Sequence, residues 1–274
     1  MSAIVVCGEA LMDVFALEDT PTGLSLEARI GGSPFNVAVG LARLAQPVAF
    51  FGSISRDLMG ERLVRALRDE SVDTSSVVRV DALTTLSFVG TDAGGVPSYA
   101  FYGEGCADRQ LGTDALSRLP PSAAAIHVGS FSTIVEPVAS TLRALVETAR
   151  HRVLISYDPN VRLNVQPDLQ PWRTALDWML TRADIVKISA EDLALLWPGV
   201  PARSFSTGRS PPGSAWRSSP RARRAPPRRP PGRESKSLRG PCRWSTRWAP
   251  ATRSRPPCSP GSAAPLHFGA RRSP

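Results

Sequence analysis

The chain has 274 residues, 42% of them hydrophobic, with 33 basic against 24 acidic side chains, which is enough for one large α/β domain or two small ones with a sizeable core. Its net charge of +9 would suit a nucleic-acid partner, but residues 201–274 hold 17 basic residues and one acidic, against 16 basic and 23 acidic in residues 1–200. That division excludes a basic surface spread over the whole fold and leaves a mildly acidic main body.

In chain order, Ile4–Cys7 is the first apolar run that reads as a buried strand. Gly8-Glu9-Ala10-Leu11-Met12-Asp13 closes it with an acid at its carboxyl end, where open α/β sheets bind ligands. The Asp13 carboxylate can accept two neighbouring hydroxyls there; the competing reading is a solvated turn aspartate. Residues 14–30 then depart from the buried-strand pattern. Gly31-Gly32-Ser33-Pro34-Phe35-Asn36-Val37-Ala38 follows, with Ser33 suited to cap a helix and Pro34 to its first position. The two glycines let a ligand approach the backbone closely. Asn36 can aim an amide, both donor and acceptor, at the same space, or simply cap a tight turn. Val48–Phe51 reads as a strand, followed by Gly52, Asp57-Leu58-Met59-Gly60 and an apolar helical stripe at Leu58, Leu63, Val64 and Leu67.

Residues 84–103 break the rhythm again. Thr84–Gly90 and Ser98–Tyr102 alternate polar and apolar around the turn signal Asp92-Ala93-Gly94-Gly95, which suits antiparallel strands of a small lid. Ala124–Val128, Val153–Tyr157 and Ile185–Ile188 are further apolar runs. Val135, Val138, Ala139, Leu142, Leu145, Val146 and Ala149 form a helical stripe, and Ala190–Trp197 a last helix. Apolar strands alternating with helices predict a doubly wound, three-layer α/β fold around a parallel sheet, with a small β lid.

From Pro201 the pattern stops. The segment to Pro274 has 16 Arg, 15 Pro and 13 Ser, two Leu, and neither Val nor Ile. So few aliphatic side chains cannot offset the entropy of ordering, which predicts a disordered tail. Cys7, Cys106, Cys242 and Cys258 show no CxxC pair, which suits reduced thiols. With no signal-like N-terminus and no apolar run of membrane-spanning length, the expected location is cytoplasmic, without a membrane partner.

Together the motifs resemble the ribokinase (PfkB) family of carbohydrate kinases. The family's first signature, a glycine pair, Asn, a small residue, Gly and a distal Asp-x-x-Gly, matches from Gly31 to Gly60. Tyr102-Gly103-Glu104-Gly105-Cys106-Ala107-Asp108-Arg109 is similar to the lid-to-domain passage of bacterial fructokinases. Asp158-Pro159-Asn160-Val161-Arg162 is similar to the family's D-P-N-x-R strand end, and Ala183–Asp192 to its lysine-bearing segment. The resemblance covers residues 3–198. Departures are Gln46-Pro47 where Leu-Gly is common, Ser55 where Gly is frequent, and Asp192 in the place of a Glu.

The resemblance implies a ribokinase-like kinase domain over residues 1–200, incomplete, with lid segments about 14–30 and 84–103. It implies transfer of the γ-phosphoryl of ATP, with Mg²⁺, to the hydroxyl of a small-molecule sugar. Fructose comes first, ribose and 2-keto-3-deoxygluconate being the alternatives. Asp13, Gly31, Gly32 and Asn36 would hold the sugar, and Arg162 would lie by the transferred phosphate. Asn160, Lys187 and Asp192 would face the nucleotide, Asp192 reaching less far toward magnesium and phosphate than Glu. Arg109 is either a sugar contact or a salt bridge at the lid base. No metal ligand is assigned, and lid pairing would make a homodimer.

Family members also use a G-A-G-D segment, whose glycine amides at a helix start form an anion hole and whose Asp takes the hydroxyl proton. No G-A-G-D occurs in this chain. No catalytic residue is therefore assigned, and the polypeptide as written is expected to be inactive and not to hold ATP and Mg²⁺ as a full member would. A shift of reading frame accounts for the tail. One GC-rich coding of Cys242–Cys258, read one base earlier, spells L-P-V-V-D-T-V-G-A-G-D-T-F-Q-A-A-L; because Trp has a single codon, Trp248 before Ala249 must become Gly. The same shift over Ala202–Ser218 can spell a helix and a strand, placing the slip near Val200–Arg203. The rival readings are a genuine disordered segment and a non-catalytic protein whose basic tail grips nucleic-acid phosphates. The lack of repeats, Arg-Gly boxes or regular Arg-Ser dipeptides weighs against the last.

Overall fold

The computed structural model describes residues 2–91, 97–120 and 122–199. The tail from residue 201, and with it the expectations of disorder, of a shifted frame and of a nucleic-acid contact, lies outside the described residues, as does the Asp92–Gly95 turn. In chain order the first elements are β1 (Ala3–Cys7), β2 (Leu11–Thr20), β3 (Gly23–Gly31), α1 (Ser33–Arg43), β4 (Val48–Phe51), β5 (Ser53–Ser55) and α2 (Leu58–Asp69). Next come β6 (Val78–Val80), β7 (Leu86–Thr91), β8 (Pro97–Tyr102), β9 (Ala123–Gly129) and α3 (Val138–Ala149). Then follow β10 (Leu154–Asp158), α4 (Leu169–Leu180), β11 (Ile185–Val186) and α5 (Ala190–Leu196).

Five strands pair in parallel in the order β11-β10-β9-β1-β4. Their side chains alternate between two cores. Val5, Cys7, Ala49 and Phe51 pack with Leu142, Leu145, Trp172 and Leu176 of α3 and α4. Val6, Val48 and Phe50 pack with Phe35 and Ala38 of α1 and Leu63, Val64 and Leu67 of α2. A two-residue period with both faces covered explains why these strands read as unbroken apolar runs. It also makes the three layers, each fully buried Phe or Leu contributing about 1.5–3 kcal/mol. The β11 run was expected to reach Ile188 but pairs only over Ile185–Val186, and Ile185 is 50% exposed.

The lid is a second sheet in the order β3-β2-β7-β8, in which β2 runs parallel to β7 and antiparallel to β3. It begins at Leu11, earlier than the expected residue 14, because Leu11 and Met12 already pair with Gly31 and Ile30. Strand alternation turns Met12 and Val14 inward, both buried, and sets Asp13 on the opposite face.

Local chemistry fixes the helix starts. Ser33 was expected to cap α1, but the cap is Gly32, whose φ of 103° suits glycine. Ser33 is instead helical, and its N–H is taken by the Glu9 carboxylate at 3.3 Å. Asp57 caps α2, accepting from Gly60 N–H at 2.7 Å. The stripe beginning at Val135 becomes helix only from Val138, just after Pro137. Trp172, Leu176 and Met179 are the buried face of α4, a helix not expected from the apolar pattern. No described helix is long and apolar enough to cross a membrane.

Candidate functional site

The strand order reverses at β1: β4 lies to one side, and β9, β10 and β11 extend the other. The crevice beyond the carboxyl ends of β1 and β9 is therefore the place where this sheet type receives ligands. Gly8, at φ 141°, turns the chain out of β1, and a side chain there would meet Pro34 at 2.5 Å. Glu9 follows, 1% exposed, accepting from the Ser33 N–H and, at 2.5 Å, from the Ser132 hydroxyl beyond β9. It thereby ties the start of α1 to the far side of the crevice. Burial pushes its pKa up to about 7 against the hydrogen bonds that favour its charge.

Asp13 lies on the lid face opposite the buried Met12. Gly31 leaves the space that the Asp13 carboxylate fills, since a β-carbon there would collide with Oδ2. At Gly32 a β-carbon would sit 2.7 Å from the Glu9 carbonyl. Gly32 is thus required by its φ and by the approach of backbone, and a side chain at Gly31 would displace the Asp13 carboxylate. Burial raises the Asp13 pKa, while the Ser87 hydroxyl, in register with Asp13 on β7, and the charge of Arg162 favour the carboxylate. Asn36 is exposed in the first turn of α1, its amide without a hydrogen bond among the described residues.

Arg109 was expected to be a sugar contact or a salt bridge. Among the described residues it makes no ion pair; its guanidinium lies 5.6 Å from the Phe101 ring of the lid and 5.9 Å from the Phe131 ring of the core. The two rings meet edge to face at 5.6 Å. Arg109 is thus held by cation–π contacts at the lid base, with its Nε buried and unpartnered. Asp108 beside it is 2% exposed and accepts from the Thr85 hydroxyl; burial pushes its pKa to about 6.

The end of β10 carries the remaining candidates. Asn160, at φ 40°, donates to the Ser130 hydroxyl at 3.3 Å. Arg162 is exposed, and its charge reaches Asp13. Lys187 pairs with Asp158 at 2.8 Å, the lysine 63% and the aspartate 16% exposed. Asp192 is 6% exposed and accepts the Val161 N–H at 3.0 Å, so it pins the loop that carries Asn160 and Arg162. The structure thus gathers Asp13, Gly31, Gly32 and Arg162, sets Asp192 against Val161 beside Arg162, and places Lys187 just after β11 on Asp158.

At the end of β11 the described residues place an exposed ammonium, Lys187, paired with Asp158, whose Oδ1 is buried and unpartnered. No group of three or more His, Cys, Asp or Glu among the described residues could hold a metal ion. A separate cavity of about 310 Å³ between α3 and α4, lined by Leu142, Trp178 and Met179 among others, shares no residue with the crevice.

Glu9, Asp57, Ser87, Phe101, Asp108 and Asp158 contribute to this region without having been singled out as site residues. Glu9, Asp57, Asp108 and Asp158 stand inside the sequence motifs 8–13, 57–60, 102–109 and 158–162. Ser87 and Phe101 required the lid register, which places them opposite each other on β7 and β8.

A model of the pfkB family carbohydrate kinases matches residues 1–199. The chain is 37% identical over 190 residues to a fructokinase from Rhizobium leguminosarum bv. trifolii, covering 69% of this chain and 58% of that protein. It superposes with TM-score 0.65 and 27% identity on a fructokinase from Xylella fastidiosa with bound ATP, covering 76% of this chain and 65% of that one. A fructokinase from Vibrio cholerae O395, in a fructose-, ADP- and calcium-bound form, superposes with TM-score 0.62 and 26% identity, over 76% and 66% of the two chains. The chain spans about three fifths of the length of the curated relatives it matches.

Proposed function

The chain belongs to the pfkB family of carbohydrate kinases, and on that footing we propose that residues 1–200 carry the sugar-holding part of a fructokinase-type site. The observation that supports it is the half-buried Asp13 carboxylate on lid strand β2, in the segment that follows β1, seated in the space left by Gly31 and within the field of Arg162. An ionised carboxylate accepts from two adjacent sugar hydroxyls, and Asn36 supplies an amide from the facing helix start. Arg162 would stand by the phosphoryl group to be transferred, and Lys187, Asn160 and Asp192 on the nucleotide side, with ATP and Mg²⁺ supplying the phosphoryl group and its charge neutralisation. A homodimer of the family kind would cover the lid strand β3, where Leu24 and Leu26 are each about half exposed.

The polypeptide as it stands is proposed to bind sugar without transferring phosphate, because its sequence offers no G-A-G-D cradle. Titration calorimetry with D-fructose, D-ribose and 2-keto-3-deoxygluconate tests the binding half. Fructose is expected to bind most tightly, and Asp13→Asn to weaken it by about 10- to 100-fold, as loss of charge-assisted hydrogen bonds implies. Equal binding of fructose by the wild type and Asp13→Asn would remove the basis of the reading.

A further inference from the structure

The lid joins the core at four chain crossings: Ala10–Leu11, Gly31–Gly32, Thr84–Thr85 and Gly103. The glycine crossings carry no side chain to hold. The Thr84–Thr85 crossing is different: both residues are buried, 6% and 1% exposed, and each is gripped by an acid from another element. Asp57, the cap of α2, accepts the Thr84 N–H on Oδ2 at 2.8 Å. It accepts the Thr84 hydroxyl on Oδ1 at 2.7 Å, the oxygen that also takes the Gly60 N–H. Asp108, in the helical turn Ala107–Arg109, accepts from the Thr85 hydroxyl and has its second oxygen unpartnered among the described residues. The Thr85 carbonyl accepts the Met12 N–H at 3.0 Å and so starts the pairing of β2 with β7. Two residues further on, Ser87 stands in register with Asp13. The Asp57-x-x-Gly60 motif thereby acquires a use beyond capping. Gly60 lets the helix start press against the Ser55 carbonyl, where a β-carbon would collide, and Asp57 is left facing the crossing.

We propose that Asp57 and Asp108 are positioning residues that clamp the Thr84–Thr85 crossing and so set the register of Ser87 against Asp13, tuning sugar affinity without touching the sugar. The inference rests on the reading of Asp13 as the sugar-holding carboxylate. If both acids served only to hold the fold together, their loss would loosen lid and core alike. If they form a clamp, its loss loosens the lid first and costs affinity.

The test compares Thr85→Val, which keeps the shape but removes the hydroxyl, with Thr85→Ser, which restores it, and with Asp57→Asn. Fructose affinity is measured by calorimetry, and amide hydrogen exchange is followed in β2 and β7 against β1 and β9. Thr85→Val and Asp57→Asn are expected to raise the fructose Kd about tenfold and to speed exchange in β2 and β7 with β1 and β9 unchanged. Thr85→Ser should remain within about twofold of the wild type. Wild-type affinity in Thr85→Val, or exchange that rises equally in lid and core, overturns the clamp. Should the wild type bind no fructose, the Asp13 reading fails separately and exchange alone decides: faster lid strands over an unchanged core uphold the clamp, and an unchanged lid overturns it.

Discussion

Glu9 shows how much one side chain does here. It carries a carboxyl into a site 1% exposed and satisfies a helix N–H and a hydroxyl at once. Its pKa rises from an unfolded value near 4.5 to about 7, with burial as the leading cause. Between those values the folded state holds more of the proton than the unfolded chain does. The contribution of Glu9 to stability is therefore complete below about pH 4.5 and is lost as the pH rises through about 7. Asp108 acts in the same sense up to about pH 6. His127, whose pKa burial lowers, acts in the opposite sense, so the difference between variant and wild type is the informative quantity. Glu9→Gln keeps an acceptor for the Ser33 N–H, turns an amide N–H toward the Ser132 hydroxyl oxygen, and removes the titration. In urea unfolding its stability relative to the wild type is expected to improve by on the order of 1–3 kcal/mol between pH 5 and pH 8. A difference that stays constant across that range would show that Glu9 does not titrate there. Asp13 could be picked out in the sequence because its place after an apolar strand is a local pattern. The burial of Glu9 and Asp108 is created by elements distant in sequence, Ser132 and Thr85 among them, so local pattern could not disclose it.

At the scale of elements, the junction of β3 and α1 depends on glycine at one position and merely tolerates it at another. Gly32 sits at φ 103° with the Glu9 carbonyl 2.7 Å from any added β-carbon, whereas Gly40, inside α1, would meet nothing within 4 Å. Gly32→Ala is expected to cost at least about 2 kcal/mol through backbone strain and collision. Gly40→Ala should stabilise the protein by about 0.5–1 kcal/mol through helix propensity. Chemical denaturation of both variants checks the pair, and comparable effects of the same sign would refute the assigned roles. Strands β1, β4, β9 and β10 were legible because a strand covered on both faces announces itself by an unbroken apolar run. The short β5 and β6 were not, since Ser53, Ser55 and Arg79 carry no such signal. The cap of α1 was misplaced by one residue because Ser33 has the ordinary capping side chain, while the acceptor in use comes from Glu9, 24 positions away.

Across the whole molecule, the described sheet ends at β11, two residues long, paired with β10 and with Ile185 half exposed. A parallel sheet of this kind normally has its faces and edges covered, yet the sequence after residue 200 offers neither Val nor Ile to extend it. The shifted frame over Ala202–Ser218 can spell E-E-L-F-D-R-A-L-A-A-G-L-G-V-A-L-V, a helix followed by an apolar strand run, and over Cys242–Cys258 one permitted coding can spell G-A-G-D. One change of frame would thus supply both the sheet continuation and the anion cradle, two independent needs of the fold and of phosphoryl transfer. Replacing residues 202–274 with that shifted translation is expected to create fructose- and ATP-dependent ADP release where the original polypeptide shows none. Within the replacement, changing the Asp of G-A-G-D to Asn should reduce turnover by on the order of 10²-fold or more, the usual loss for a general base. Robust turnover by the original polypeptide would sink the inactivity reading, and a coding sequence unable to spell G-A-G-D in the alternative frame would sink its explanation.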